Sequence, residues 1–506
     1  MEPETPTYLD KFMAAFPFEA LTFDDVTIEV LPSKILPDEA NLETRLTRNI
    51  RGMPFWSAAM DTVTEFKMAI EMAKLGGIGV IHKNLSIEQQ AKQVGKVKHH
   101  LHGLIRTPVC FQETDTVEHI LNTRIEKDYA FHSFPIVDAN KRLVGLITGD
   151  DFDFCEDNSV QVREIMTREV ETAKIGTNIN EAYKKMRERP RRKVLPLVDE
   201  NGCIAGMYSW DDVKRIFLKS HKGYNVDKNN QLRVAAAIGA KDYARAEALL
   251  AEGTDILVVD SAHGGHRDIV NTIIELQNFK KRYGFDIVGG NVAGRECARE
   301  LAEAGVDAIK VGIGPGSICT TRVVCGVGIP QIKAVYESFQ EAKQKDIPII
   351  ADGGIKYSGD VPKIIIAGAD SVMLGGVLAG TDESPGEKIT QEGRQYVVYR
   401  GMGSLEAMRD KQGAGSKDRY MQKDTNAEDL VPQGITGVVP YAGSLRAVLN
   451  QYFGGFKQTM GYVGAGTILE LKSRGRLVRV TSAGTREAHP HEVKITREAP
   501  NYKVPQ

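Results

Sequence analysis

A glycine-rich stretch with a cysteine at its centre carries the residues best suited to chemistry. It spans 312–328, reads GIGPGSICTTRVVCGVG and follows the strand-like run 308–311. Loops that follow buried strands carry the active sites of α/β folds. Glycine lets a ligand approach the backbone, and the Ser317 hydroxyl with nearby amides could hold a phosphate. Cys319 is then either an activated nucleophile or an inert buried thiol, and this stretch alone supports both interpretations.

Strand-like runs recur along the chain at intervals that favour an α/β fold of the (β/α)8 barrel type. Three runs share a lead-in with glycine and aspartate, ending at Asp255, Asp307 and Asp370, which lie 52 and 63 residues apart with one further strand in each interval. That period of roughly 25–30 residues suits the βα units of a barrel. A doubly wound sheet is the competing fold. The eight runs begin near residues 54, 77, 234, 255, 286, 308, 348 and 371.

Residues 101–220 interrupt this rhythm with an internal repeat. The pattern FPIVD, LVGLIT and DD returns about 61 residues later as LPLVD, IAGMYS and DD, so that Pro135 corresponds to Pro196. Two copies of one β-rich unit inside a barrel indicate a separate module. The sequence therefore predicts the first part of a catalytic barrel at 1–100, repeats at about 101–160 and 161–220, and the rest of the barrel at 221–506.

The bulk composition excludes several classes of protein. The chain has 506 residues and a formal net charge of -2, so no global field attracts nucleic acid or an anionic membrane. Its six cysteines are scattered without a CxxC pair, which argues against a zinc site or a disulfide scaffold and favours a reducing compartment. The sequence has no apolar run of membrane-spanning length and no signal peptide. We expect a cytoplasmic globular protein without membrane contact.

A polar, glycine-rich segment covers residues 385–440, and residues 411–428 within it have almost no apolar content. A loop of this length in a compact enzyme is typically a mobile lid or a binding loop. A disordered surface insertion is the alternative. The pair Arg419-Tyr420 near its centre is unusual for a segment without function, which favours a lid.

The motifs together resemble those of the inosine-5′-monophosphate (IMP) dehydrogenase and guanosine monophosphate (GMP) reductase family. They are the loop GPGSICTTR at 314–322, ADGGI at 351–355, YRGMGS at 399–404, the pair Arg419-Tyr420 and HEVKITREAPNY at 491–502. The resemblance covers nearly the whole chain and is specific as a combination. It implies a TIM barrel, and the 61-residue repeat resembles the tandem cystathionine-β-synthase-type (CBS, or Bateman) module of this family.

The resemblance implies oxidation of IMP to xanthosine monophosphate (XMP) with NAD and water, the committed step of guanine nucleotide synthesis. Cys319 would attack C2 of the purine, a hydride would pass to the nicotinamide, and the covalent thioimidate would then be hydrolysed. The implied hydrolytic base is Arg419 on a mobile flap at about 404–432, supported by Tyr420 and Thr321. An arginine base is chemically unusual, since guanidinium groups ordinarily stay protonated at neutral pH. A purely anion-binding role is the alternative.

The resemblance also implies the contacts of both substrates. For IMP they are Ser317, Asp352, Gly353, Gly354, Gly375, Gly376, Tyr399, Arg400, Gly401, Met402, Gly403 and Gln433. For NAD they are Asp260, Ser261, Ala262, Asn291, Gly312, Ile313, Gly314 and Tyr462, with Asp260 as the ribose ligand.

A potassium ion and nucleotide effectors complete the implied ligands. Carbonyl oxygens suit K⁺, and those expected are Gly314, Gly316 and Cys319, with Glu487, Ala488 and His489 of the C-terminal tail from a neighbouring subunit. Such shared sites imply a homotetramer and leave an octamer open. In the repeats, a hydroxyl and a carboxylate would hold the ribose of a purine nucleotide such as ATP or GTP, at Thr148 with Asp151 and at Ser209 with Asp212. A vestigial module without ligand is the alternative.

Two other functions stay open at this point. GMP reductase would use the same cysteine loop in the opposite direction with NADPH. Arg419-Tyr420 favours the dehydrogenase, as does Gln433, where a reductase would carry a catalytic glutamate. The second is a nucleotide-sensing filament or nucleic-acid-binding scaffold built on the repeats, although the near-neutral charge gives nucleic acid little to bind.

Overall fold

Eight short parallel strands close into a barrel within the first of two compact units, which comprises residues 1–98, 223–227 and 232–506. The computed structural model describes residues 6–17, 19–101, 104–105, 108–127, 129, 131–155, 157–188, 193–217, 223–409, 416–497 and 499–502. The last barrel strand pairs with the first, Met373 opposite Trp56, so the predicted (β/α)8 barrel is confirmed and the doubly wound alternative is wrong. The strands are Phe55–Ser57, Ile78–Ile81, Ala235–Ile238, Ile256–Asp260, Asp286–Val292, Ala308–Val311, Ile349–Asp352 and Ser371–Leu374.

A helix follows each barrel strand, and alternate strand residues fill the interior. Side chains of a strand point to opposite faces in turn, and the inward set is apolar, as in Ala235 and Ala237 or Ile256 and Val258. Trp56 is fully buried, and its indole N–H donates to Ser371 Oγ at 2.9 Å. The interior is therefore a packed core, and polar chemistry is left to the strand ends. The helices are Phe66–Lys74, Ile87–His99, Tyr243–Ala251, Arg267–Tyr283, Arg295–Ala304, Gln331–Ala342, Asp360–Ile366 and Gly376–Ala379.

The aspartates of the repeated lead-in join neighbouring strands at the amino-terminal end of the barrel. Each carboxylate accepts a backbone N–H from the start of the preceding strand at 2.8–2.9 Å and also binds a lysine ammonium. The sequence predicts that these aspartates begin strands. Each strand instead begins one residue later, because the aspartate side chain accepts a hydrogen bond from the backbone of the neighbouring strand. The sets are Asp255 with Val234 and Lys98, Asp307 with Ile287 and Lys280, and Asp370 with Ile349 and Lys472.

The polar segment at 385–440 is only partly a loop. Two antiparallel strands, Lys388–Gln391 and Arg394–Arg400, form a sheet with Thr436–Pro440, so the prediction of one continuous loop is wrong there. The strand Arg394–Arg400 buries Val397 and Tyr399, and cross-strand pairing holds the more exposed strand Lys388–Gln391 against it. The other strands of this unit are Val26–Ile28, Thr44–Arg45, Arg51–Gly52 and Leu477–Arg479; its other helices are Tyr8–Ala14, Thr321–Val324, Leu405–Arg409, Leu445–Val463, Ile468–Arg474 and Ser482–Glu487. Within the described ranges, no helix is long and apolar enough to cross a bilayer.

The second unit, residues 99–222 and 228–231, holds two sheets built from the repeated sequence. The strand pairing repeats with the sequence: Pro135 lies opposite Leu146, and Pro196 lies opposite Met207. The identity of these halves as CBS repeats stays a prediction. The strands are Leu104–Ile105, Phe111–Gln112, Phe134–Val137, Leu143–Ile147, Ala173–Lys174, Val194–Val198 and Ile204–Ser209; the helices are Val117–Glu126, Gly149–Asp153, Val162–Ile165, Ile179–Glu188 and Trp210–Phe217.

We expect Asp370→Ala to lower the free energy of unfolding of the barrel by about 2–4 kcal/mol, because it leaves a strand N–H and the Lys472 ammonium without their carboxylate. Denaturant unfolding followed by tryptophan fluorescence measures this loss. A Trp210→Phe background leaves Trp56 as the single tryptophan, inside the barrel.

The control is Glu43→Ala, which breaks an ion pair whose side chains are both about half exposed. It should cost less than about 1 kcal/mol. Equal losses from the two substitutions would contradict the role of the lead-in aspartates.

Candidate active site

A cavity of about 410 Å³ opens at the carboxyl ends of the barrel strands. Parallel strands bring their carboxyl ends to one face, so residues that are distant in sequence meet there. Of the residues predicted for the site, those that line the cavity are Asp260, Asn291, Gly312, Gly314, Gly316, Ser317, Cys319, Asp352, Gly353, Gly354, Gly375, Gly376, Tyr399, Gly401, Met402, Arg419, Tyr420 and Gln433.

Backbone hydrogen bonds fix the cysteine loop against a segment more than a hundred residues away. The Thr320 N–H donates to the Gln433 carbonyl at 3.0 Å, and the Ile435 N–H donates to the Ile318 carbonyl at 3.0 Å. Between these bonds, Cys319 Sγ lies 3.1 Å from the hydroxyl oxygen of the predicted helper Thr321, which is buried outside the cavity lining. The thiol is thus held at a fixed place in the cavity wall.

Two glycines leave space beside two hydroxyl groups. A Cβ on Gly375 would lie 2.9 Å from the Tyr399 hydroxyl oxygen, and a Cβ on Gly376 would lie 3.2 Å from Ser317 Oγ. Both separations are closer than most side chains allow, so glycine keeps these hydroxyls open to a ligand. Burial raises the pKa of Tyr399, which therefore stays a neutral hydrogen-bond donor. This arrangement can hold a phosphate.

A buried lysine joins the carboxylates predicted to bind the two riboses. The Lys310 ammonium donates to Asp260 Oδ1 at 2.8 Å, to Asp352 Oδ2 at 3.1 Å and to the Asn291 side-chain oxygen. The Asn291 amide donates in turn to Asp352 Oδ2 at 2.8 Å. Lys310 was not predicted as a site residue. Its charge within the apolar run AIKV at 308–311 nevertheless indicates a buried cation that needs partners inside the fold. One cation thus fixes both carboxylates.

The flap residues reach the same cavity. The Arg419 guanidinium forms an ion pair with Asp260 Oδ2, and the Arg419 carbonyl accepts the Ala262 N–H at 2.9 Å and the Ser261 hydroxyl at 3.5 Å. Loss of solvent raises the pKa of Tyr420, although the Arg419 charge opposes the rise. In this structure Ser261 and Ala262, predicted as NAD contacts, therefore bind the flap. Part of the predicted flap, residues 410–415, lies outside the described residues.

Arg400, a predicted IMP contact, lies outside the cavity lining. Its guanidinium forms a bidentate ion pair with Asp61, with N–O distances of 2.6–3.1 Å. Its backbone N–H donates to the Thr62 hydroxyl at 3.2 Å. The side chain thus ties the strand Arg394–Arg400 to the loop after the first barrel strand. Sequence spacing gave no signal for this pairing.

Three further predicted contacts also lie outside the cavity lining. Ile313 belongs to the cysteine loop but offers its carbonyl to the Arg322 guanidinium at 3.0 Å. The Gly403 carbonyl accepts the Gln433 N–H at 2.9 Å. Tyr462 stands on the helix Leu445–Val463 with 62% of its surface exposed. Their direct contact with a ligand stays a prediction.

The residues of the predicted potassium site line two cavities. Gly314, Gly316 and Cys319 line the first cavity, whereas 487–489 line a second cavity of about 690 Å³, and Tyr357 lines both. The described parts of the chain hold no cluster of three or more His, Cys, Asp and Glu side chains suited to a metal ion. The binding of K⁺ by these carbonyl groups, with 487–489 from a neighbouring subunit, stays a prediction.

The predicted nucleotide contacts of the second unit lie where strands meet helices. Asp151 Oδ2 accepts the Thr148 hydroxyl at 2.8 Å and the Thr148 N–H at 2.7 Å, which caps the helix Gly149–Asp153. In the second repeat, Ser209 ends a strand and Asp212 lies in the first turn of the next helix. Their role in binding nucleotides stays a prediction.

A barrel whose strand ends present a fixed thiol, a hydroxyl-lined space for an anion and paired carboxylates is typical of an enzyme active site. A model of the IMP dehydrogenase / GMP reductase domain matches residues 20–491. The chain belongs to this family.

Full-length relatives agree with this assignment. The inosine-5′-monophosphate dehydrogenase of Halalkalibacterium halodurans is 45% identical over 499 residues, which cover 97% of this chain and 99% of the relative. That of Aquifex aeolicus is 47% identical over 494 residues, which cover 96% and 98%. A crystal structure of a GMP reductase from Trypanosoma brucei in complex with guanosine 5′-monophosphate gives a TM-score of 0.81 at 35% identity and covers 95% of this chain and 99% of its own.

We expect iodoacetamide at about pH 8 to label Cys319 and Cys325 and to spare Cys110. Cys319 lines the open cavity and Cys325 is exposed, whereas burial raises the pKa of the Cys110 thiol to about 11 and leaves on the order of one thiolate in a thousand. Peptide mapping by mass spectrometry measures the three sites in one sample. Labelling of Cys319 as slow as that of Cys110 would contradict an accessible thiol.

Proposed function

We propose that this protein oxidises IMP to XMP with NAD and water through a covalent adduct on Cys319. The observation that carries the proposal is that Arg419 and Tyr420 line the same cavity as the thiol. An adduct on the thiol must be hydrolysed, and this pair supplies a group for that step beside the nucleophile. Relatives named as the dehydrogenase are 45% and 47% identical to the chain, against 35% for the reductase structure.

IMP binds, in this proposal, with its phosphate in the space beside Ser317 and Tyr399 and with its ribose on Asp352. Hydroxyl donors and glycine amides suit a phosphate, and both hydroxyls lie beside the glycines that keep this space open. Asp352 Oδ1 accepts no hydrogen bond from the described residues, so it is available to ribose hydroxyls, while Oδ2 is held by Lys310 and Asn291. The purine ring of IMP then lies over Cys319 and against Met402 and Gln433.

The chemistry has two stages on one thiol. Cys319 Sγ attacks C2 of the purine as a thiolate, and the C2 hydrogen departs as a hydride, which leaves a thioimidate. NAD supplies the hydride acceptor when bound. A water molecule then adds to C2 and the C–S bond breaks, which gives XMP, the thiol and, over both stages, one released proton. Arg419 is the base for the water, and Tyr420 and Thr321 support it.

Asp260 fits the ribose of NAD, because strand-end carboxylates accept ribose hydroxyls. Its two oxygens are occupied here by Lys310 and Arg419. Lys310 is buried in the barrel, but Arg419 belongs to the flap and is the partner that can leave. Asp260 therefore binds either the flap or the dinucleotide through the same oxygen, which separates hydride transfer from hydrolysis in time.

We also propose a K⁺ site shared between neighbouring subunits of a homotetramer, with an octamer as the alternative assembly, and purine nucleotides as effectors of the second unit. The carbonyl groups at 314–319 and those at 487–489 line different cavities of one chain, which supports a shared site. The repeated strand–helix junctions, which carry Thr148 with Asp151 and Ser209 with Asp212, support two effector sites. All six cysteines are free, which supports a reducing, cytoplasmic location.

The test is the absorbance of reduced nicotinamide with two substrate pairs. IMP with NAD should generate NADH, and GMP with NADPH should give no consumption. Activity with the second pair alone would replace the proposal by GMP reductase. Mass spectrometry of the enzyme stopped during turnover should find a purine adduct on the peptide that contains Cys319.

We expect Arg419→Ala to retain hydride transfer and to lose hydrolysis. A pre-steady-state burst of NADH, close to one per active site, should remain, while steady-state turnover falls by about 100-fold or more because the base is absent. Stopped-flow absorbance measures both phases in one trace. If the burst and the turnover fell by the same factor, Arg419 would serve binding rather than hydrolysis.

A further inference from the structure

The short turn that carries Arg419 is held on the barrel at three strand ends. This turn, Lys417–Tyr420, contacts Lys83 after the second strand, Gly239 after the third and the Ser261-Ala262 pair after the fourth. The last contact uses backbone and hydroxyl groups. The first contact is an ion pair, and it falls on Asp418, the residue directly before Arg419.

Lys83 is a buried cation with a carboxylate partner from the flap. Only 7% of its side chain is exposed, and its ammonium bonds both carboxylate oxygens of Asp418. Burial lowers the pKa of Lys83, and the Asp418 carboxylate opposes that effect. A buried ammonium that loses its carboxylate is strongly disfavoured. The lysine therefore favours the docked position of the flap over any position without Asp418.

The same carboxylate orients the next residue. Asp418 Oδ1 accepts the Arg419 N–H at 2.8 Å, so the ion pair and the backbone of Arg419 share one oxygen. Gly239 makes room for this group: a Cβ there would lie 2.5 Å from Asp418 Oδ2 and 3.4 Å from Lys83 Nζ. The φ angle of Gly239 is not positive, so its backbone conformation does not require glycine. The residue is glycine because a side chain would collide with Asp418.

We propose that Lys83 is a positioning residue for the hydrolytic half of the reaction, which holds the flap turn through Asp418 so that Arg419 faces the adduct on Cys319. The inference rests on the proposed function. Lys83 does not line the cavity and therefore acts through the flap rather than on IMP. Because Asp260 binds either Arg419 or NAD, loss of the Lys83 ion pair shifts the competition towards NAD and leaves hydride transfer intact.

The test compares both half-reactions in Lys83→Met. Stopped-flow absorbance should show an NADH burst within about 2-fold of the parent enzyme, and steady-state turnover should fall by about 10-fold or more because the closed flap is depopulated. The purine adduct on Cys319 should accumulate in mass spectra, and excess NAD should inhibit more strongly. Lys417→Met is the matched control, since among the described residues the Lys417 ammonium bonds the Thr425 carbonyl of the flap and no barrel residue.

Two further variants cover the case in which Lys83→Met folds poorly, and hydrogen exchange tests the flap directly where it folds well. Gly239→Ala displaces Asp418 without removing a charge and should give the same split between burst and turnover, and Lys83→Arg should restore part of the turnover. Hydrogen exchange of the peptide that contains Lys417–Tyr420 should accelerate in Lys83→Met and not in Lys417→Met.

Three results would overturn parts of this account, and they can be told apart. A parent enzyme that makes no NADH from IMP and NAD would overturn the proposed function together with this inference. Equal losses of burst and turnover in Lys83→Met and Gly239→Ala would overturn the inference alone. Unchanged turnover in both variants would do the same, and the proposed function would stand.

Discussion

The buried ammonium of Lys310 is the interaction on which the rest of the site depends. It lies at the end of a barrel strand between Asp260 and Asp352, and no water-filled space separates it from either carboxylate, since it donates to both at 2.8 and 3.1 Å. Two carboxylates this close to an apolar barrel core would otherwise repel each other and lose their hydration. The single cation offsets their repulsion and fixes their positions. A fixed carboxylate can accept ribose hydroxyls without the entropic cost of being ordered on binding.

This charge balance also explains how the flap is held. Lys310 alone compensates two carboxylates only in part, so Asp260 has a remaining attraction for a second cation, which Arg419 supplies. This ion pair joins a flap residue to a barrel residue, so a ligand that binds Asp260 can replace it, whereas backbone hydrogen bonds fix Cys319 in the barrel. The thiol is thus held permanently and the flap reversibly, which suits the proposed two-stage reaction on one thiol.

The barrel was predictable from sequence because its signals are local. The lead-ins to Asp255, Asp307 and Asp370 repeat at similar intervals of 52 and 63 residues, and glycine or polar residues mark the strand ends. The cysteine loop was predictable for the same reason. Contacts between distant segments gave no such signal. The ion pairs of Lys83 with Asp418 and of Arg400 with Asp61 join residues more than 330 positions apart, and only the closed barrel brings them together. The strands at 388–400 were missed because the segment is largely polar, and only Val397 and Tyr399 within it are buried.

Lys310 differs from those ion pairs, because the sequence around it already indicates a buried charge: it is the one charged residue in the apolar run AIKV at 308–311. A charged residue in the middle of an apolar strand must find partners inside the fold or destabilise it. In a barrel the partners can only be residues at the ends of the neighbouring strands, since the interior is filled by side chains such as Ala308 and Ile350. The two adjoining strands end near Asn291 and Asp352, and the next strand beyond Asp286–Val292 ends at Asp260. Once the barrel order is known, the lysine in AIKV therefore identifies its own ligands, and the sequence of a barrel enzyme can be searched for such charges before a structure is available.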